Sequence, residues 1–244
     1  MDAADAVDRS FSPADRRALG SVAVQFFVNG AAFASFVPRL PEIRDRIDVG
    51  LDTLGLLLSI AITIGTVGSL RSPALIARLG TRRTLIAGGL LLVAGLPVIG
   101  VATSPAVFLI GAAAMAVADS LVDVSMNLQG SWLSARRHAP VMNRLHGLFS
   151  LGTVVGGLVA ARVAAAGVSL EVHLWCAAVL MAAALVFVAR GLLAEDESHD
   201  DGAAPIASST ANDVEAARRR SRGGRWGLLL LAVSGACSIT IELV

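Results

Sequence analysis

Residues 119–130 read DSLVDVSMNLQG, and residues 106–118, just before them, read AVFLIGAAAMAVA. A helix turns about 100° per residue, so Asp119, Asp123 and Asn127, spaced by four, fall on one polar stripe about 80° wide. The run ahead of them carries no charge. Two carboxylates one turn apart at the end of such a run are either the wet face of a soluble helix or a polar seam inside a membrane. The rest of the chain decides between these.

Of 244 residues, 55% are hydrophobic and 16% are charged, and the mean hydropathy is +0.71. A soluble domain carries roughly 25% charged residues. The apolar excess is collected in runs at 19–37, 54–70, 85–101, 106–128, 141–166 and 170–189, with another starting at 226. Each is close to the roughly 20 residues a helix needs to cross a bilayer. The expected fold is therefore an all-α integral membrane bundle. A polar tail, 1–18, precedes six transmembrane helices within 19–191. A linker, 192–225, follows with two charge blocks and a Gly/Ala/Ser/Pro-rich middle. An incomplete seventh span occupies 226–244. The first apolar run is longer than the core of a signal peptide and lacks a clear cleavage site, so it is read as retained.

Several function classes are disfavoured. A net charge of +1 identifies no polyanionic partner such as a nucleic acid. The RRRSR run at 218–222 sits beside a span and reads as an orientation anchor. Cys176 and Cys237 both lie in apolar segments and read as small hydrophobes. His138, His146, His173 and His199 are too scattered for a zinc site, and no phosphate-binding loop occurs. No metal, no cofactor and no enzymatic activity is expected.

Orientation follows from arginine. With the N-terminus inside, the inner side carries Arg9, Arg16, Arg17, Arg71, Arg78, Arg82, Arg83, Arg136, Arg137, Arg144, Arg190 and the five arginines from Arg218 to Arg225. The outer side holds Arg39, Arg44, Arg46 and Arg162, three of them among Glu42, Asp45, Asp48 and Asp52. The positive-inside rule thus gives a multi-pass inner-membrane protein with a cytoplasmic N-terminus.

In that frame Asp119 lies near the bilayer midplane and Asp123 about 6 Å nearer the cytoplasm. An ionised Asp at a helix centre costs roughly 2.5–3.5 kcal/mol, so the stripe must face a cavity or partners rather than lipid. Carboxylates that are desolvated and one turn apart hold protons more tightly, which suits proton coupling. The competing reading is that they pair with arginines or hydroxyls and lock helices together. His146, four residues before Ser150, is a second candidate for solute or proton, or else an anchor near the cytoplasmic boundary. Gln25 and Asn29, one turn apart in the first span, offer amides that read the hydroxyls of a neutral solute or join helices. Ser59, Thr63 and Thr66 are expected to bond their own helix. Gly152 and Gly156, like Gly65, are expected to allow close helix packing.

Two resemblances extend this reading. The loop PALIARLGTRRTL at 73–85 resembles the loop signature of the major facilitator superfamily, matched here by Arg78, Gly80, Arg82 and Arg83. Pro73 and Ala77 stand where that signature has a glycine and an aspartate. RLPEIRDRI at 39–47, DVSMNLQG at 123–130 and NRLHGLFSLGTVVGG at 143–157 resemble the MosC-like branch of bacterial inner-membrane proteins. The resemblance implies the N-terminal six-helix half of a twelve-helix fold plus the start of helix 7. It also implies a secondary carrier working by alternating access, with a small polar solute that is sugar-like or inositol-like; the paired acids add the expectation of proton coupling, as a symporter. GTVVGGLVAA at 152–161 is similar to the superfamily's antiporter signature, but Gly157, Ala160 and Ala161 depart from it. Drug or metabolite efflux is therefore kept as an alternative. Because one half supplies only one wall, the expected partners are the bilayer, the solute, and a missing C-terminal half or a partner subunit. The chain is read as a fragment, with Glu242 in the unfinished span. The other alternative is a non-transporting half-protein that dimerises or binds another membrane protein, with Gly152 and Gly156 as a dimer seam.

Overall fold

The computed structural model describes residues 12–137 and 140–193. The first eleven residues, His138, the linker from 194 to 225, the seventh span at 226–244 and Glu242 lie outside the described residues. Among those described there are eight α-helices and no strand. They are α1 (Pro13–Ala34), α2 (Leu40–Arg46), α3 (Leu51–Ser69), α4 (Ser72–Leu79), α5 (Thr81–Gly100), α6 (Pro105–Arg137), α7 (Met142–Ala165) and α8 (Leu170–Gly191). Six of them, all but α2 and α4, are long and apolar enough to cross a membrane, as the hydropathy pattern predicts.

Local chemistry sets the boundaries. α1 starts at the sequence SPAD, where Ser12 Oγ accepts the Asp15 N–H at 3.0 Å and the Asp15 carboxylate accepts from the Ser12 N–H at 3.3 Å. This reciprocal cap begins the helix six residues ahead of the apolar run, with Pro13 fitting the first turn. α6 runs past its predicted end to Arg137. The stretch carrying the arginine loop is a helix, α4, rather than an open loop, and a single residue joins it to α5. That residue, Gly80, has φ 85° and ψ 156°, a conformation essentially reserved for glycine.

Hydrogen bonds sort the helix ends into two groups. At one end the Arg136 guanidinium donates to Asp15 at 2.8 Å and Arg82 donates to the Ala189 carbonyl at 2.7 Å. At the other, Arg39 donates to the Val168 carbonyl at 2.9 Å and Arg46 to the Gly100 carbonyl at 2.7 Å. Arg82 and Arg46 thus cap carbonyls at the ends of α8 and α5 that the helix leaves unsatisfied.

Between these ends the packing repeats. α1 lies against α7 and α8, α6 lies against α3 and α5, and α5 meets α8. Exchanging the first three spans with the last three maps this pattern onto itself. The two triplets enter from opposite ends, so the bundle is an inverted repeat, with α1 and α6 as its equivalent central helices. α3 and α7 are the peripheral pair and expose long apolar faces, including Leu56, Ile62 and Val67 on one and Leu151, Val154 and Leu158 on the other. The core has two layers. One gathers Ile43, Leu92, Leu96, Phe108, Met115 and Leu174, and the other Phe26, Leu85, Met126, Leu133, Leu145 and Val188.

α8 ends at Gly191, and the next two residues stay with the bundle. Leu192 and Leu193 are buried in the second layer, and Gln129 holds them there. Its amide accepts the Leu193 N–H at 3.1 Å and donates to the Leu193 carbonyl at 3.1 Å and to Thr81 at 3.2 Å. Gln129→Leu removes the acceptor for a buried N–H. The expected cost is about 2 kcal/mol, read as a lower midpoint of thermal unfolding in detergent. An unchanged midpoint would refute the clasp.

Candidate functional site

The stripe read at 119–127 faces α1 and α7. Asn29, on α1, donates from Nδ2 to Asp119 Oδ1 at 2.8 Å. Asp119 sits 14 residues after Pro105, about 21 Å along a helix of 33 residues. Four residues on, Asp123 is exposed. Asn127 donates to its carboxylate at 2.9 Å and to its carbonyl at 2.8 Å. His146, exposed on α7, lies within electrostatic reach of Asp123. The edge of the Phe26 ring meets the imidazole, with centroids 5.3 Å apart and planes at 84°.

Among the described residues neither acid is paired with an arginine or a hydroxyl; their side-chain partners are Asn29 and Asn127. Among the described residues the ion pairs are Arg39–Glu42, Arg44–Asp45, Arg46–Glu171 and Arg136–Asp15, all at helix ends. Asp119 instead takes a neutral amide. A carboxyl group held this way is not locked in its charged form by a cation, so protonation does not leave a buried cation behind. The pair bridges the two central helices of the inverted repeat. A change in the charge of Asp119 therefore acts where α1 and α6 touch.

Gln25, one turn from Asn29, is fully buried, and neither its amide nitrogen nor its oxygen has a hydrogen-bond partner. Asn29 Oδ1 is likewise buried without a partner. A buried polar group left without any partner costs about 1–3 kcal/mol. Ser125, off the stripe on α6, is buried with a free hydroxyl, which the sequence reading missed. Arg39, placed on the outer side by sequence, is 3% exposed and donates to the Val168 carbonyl in the connection between α7 and α8.

The remaining candidates fall outside this seam. Ser59, Thr63 and Thr66 donate to the carbonyls of Gly55, Ser59 and Ile62 on their own helix. Ser150 donates to the His146 carbonyl at 3.1 Å. Of the loop residues, Arg82 caps α8, Gly80 makes the turn, and Arg78 and Arg83 are exposed. Gly152 and Gly156, on α7, pack against α1. A Cβ at Gly152 would run into the Phe27 carbonyl oxygen, and one at Gly156 would lie 2.9 Å from that of Ala31. The face suggested for a dimer seam is therefore occupied within the chain.

Comparison with known proteins agrees with this architecture. The family model for the Major Facilitator Superfamily matches residues 22–244. An uncharacterised transporter of that type from Yersinia pestis is 32% identical over 139 residues, covering 56% of this chain and 35% of that protein. The membrane protein MosC of Rhizobium meliloti is 28% identical over 146 residues, covering 59% of this chain and 36% of that protein. The chain thus spans about a third of the length of these curated relatives. The crystal structure of the human organic anion transporter MFSD10 shares the fold, with a TM-score of 0.55 at 19% identity over 75% of this chain and 48% of that one. With the six apolar helices and their packing, the match over most of its length places this chain in the Major Facilitator Superfamily.

Proposed function

We propose that the chain forms one wall of a secondary carrier for a small polar solute, coupled to protons and working by alternating access. The observation that carries this reading is the Asn29–Asp119 hydrogen bond, a carboxyl group bound to a neutral amide between the two central helices. Intramembrane acids of this kind mark ion pathways and proton relays. Solute sites in such folds lie near the midplane between two halves that rock against each other. In this reading the facing wall comes from further sequence or from a partner subunit. The cytoplasmic end is the one holding Asp15, Arg82 and Arg136, because sixteen of the arginines assigned above fall on that side. The membrane is the bacterial inner membrane, as for MosC-like proteins. A sugar-like or inositol-like solute remains the leading candidate by resemblance, and symport the direction of coupling.

Counterflow tests this against a half-protein that does not transport. The full protein is reconstituted into vesicles preloaded with unlabelled polyols and amino polyols, and entry of the labelled compounds is followed. A transient overshoot of at least one compound is the expected result. No overshoot with any, while the protein crosslinks into dimers, would favour the non-transporting half-protein.

A further inference from the structure

α7 and α8 each lie against α1 and barely against each other. The wedge between them is a slot of about 680 Å³ with α1 as its floor, within the roughly 300–1,000 Å³ of small-molecule sites. Small residues keep it open, Ala31 on the floor, Gly156 on α7, and Ala177 and Ala184 on α8. The polar side chains of its wall gather at one end. Ser35 follows the last residue of α1, and its hydroxyl donates to the Ala31 carbonyl at 2.8 Å. His173, 6% exposed, sits one turn into α8, with Nδ1 buried and without a partner. Beyond them the wall is apolar, back to Val24 on α1 and on to Ala184 on α8. Ser35 to Val24 and His173 to Ala184 each span about 16 Å of helix. Half of a hydrocarbon core about 30 Å thick is about 15 Å, so the slot has the length of one leaflet.

The polar end also offers an unengaged cation. Arg162, in the last turn of α7, is exposed and makes no ion pair among the described residues. It lines a shallow depression with Val159 and Val163, and both of these also line the slot. The other arginines of this face are engaged, Arg39 on Glu42 and the Val168 carbonyl, Arg44 on Asp45, and Arg46 on the Gly100 carbonyl.

We propose that the slot holds one acyl chain of a phospholipid from the leaflet at the Arg162 face, with the phosphate on Arg162. That leaflet is the outer one on the orientation proposed above, on which this clause rests. Lipid tails are as apolar as leucine, so a chain fills the wedge as a side chain would. Left empty, the walls would forfeit the dispersion contacts that packed neighbours supply. The charge and the taper together fix the direction of the chain, head at Arg162 and tail toward Ala184. The bound lipid thereby sets the spacing of α7 and α8, which have little contact of their own.

Photolabelling tests this with the full protein in phosphatidylcholine vesicles holding a small fraction of phosphatidylglycerol that carries a diazirine on one chain. A diazirine near the ester is expected to label 172–177, and one at the chain end 180–184 and 24–28. Ala177→Phe should cut both at least about fivefold, because ring and chain compete for one volume. Val186→Phe, at an exposed position outside the slot, should leave them unchanged. Arg162→Gln should weaken labelling about threefold, the size of an exposed charge pair. Ala184→Leu is the second slot variant, used if Ala177→Phe misfolds. Labelling spread evenly over exposed apolar positions, the reverse order of depth, or labelling unmoved by the slot variants would overturn the proposal. So would a disulfide from Cys176 to Cys237, or between Cys176 of two copies, formed in high yield on mild oxidation, since protein would then fill the slot. Equal labelling by a diazirine diacylglycerol would refute the phosphate contact. Asp52→Cys in a cysteine-free background, treated on intact cells with an impermeant thiol reagent, checks the orientation separately. No modification there would sink the orientation alone and move the lipid to the inner leaflet.

Discussion

Asp119→Asn abolishes uphill, proton-driven accumulation of solute, reducing it to the equilibrium level, and leaves counterflow within about twofold of the parent. The substitution keeps the shape of the side chain and an oxygen at the Oδ1 position, so the 2.8 Å bond from Asn29 has an acceptor as before. What it removes is the ability to gain and lose a proton. A carrier loaded on both sides still exchanges solute, because exchange needs no net movement of the coupling ion. Asp123→Asn should behave differently. Its side chain is exposed and bonded to Asn127, so the expected defect is in solute affinity rather than in coupling. Uptake under an imposed pH gradient, together with counterflow, separates the two. Normal accumulation in Asp119→Asn would refute the assigned coupling role.

Gly152→Val is the second large effect, with an expected loss of about 3 kcal/mol or more. The crossing of α1 and α7 is reciprocal. A Cβ at Gly152 meets the Phe27 carbonyl oxygen, and one at Gly30 meets that of Phe149. The obstacles are backbone atoms, which cannot swing aside as a long side chain would. The helices must part, and the contacts along α1 go with them. Gly157→Val is the control, since a Cβ there has no heavy atom within 4 Å. Thermal unfolding in detergent should show a marked drop for Gly152→Val and little change for Gly157→Val. Equal midpoints would mean that α1 and α7 do not pack this closely.

Much of the bundle was legible because span length and hydropathy are local properties. The six apolar runs became six helices, and the stripe at Asp119, Asp123 and Asn127 needed only the helical period. α2 and α4 were harder to see. Both are too short to stand out by period, and both begin beside prolines, Pro41 and Pro73, that also suit turns. The partners across the bundle were not legible at all. Asn29 is 90 residues from Asp119, and Gln129 is 64 from Leu193, so pairing is decided by packing that no local pattern encodes. Gln129 was missed for a second reason. It lies six residues past Asp123, on another face of α6 from the stripe that drew attention to this helix. Gly152 was legible as a packing residue, but its partner, α1 of the same chain, was not.

In the proposed carrier Asp119 holds the coupled proton. The most direct measurement is made in vesicles containing the full protein, an internal pH dye and a labelled compound that shows counterflow. Solute entry and proton entry are read together for the parent and for Asp119→Asn. The predicted result is that proton movement accompanies solute in a fixed ratio in the parent and vanishes in the variant while exchange persists. Solute entry without proton movement in the parent, or the same ratio in the variant, would contradict it.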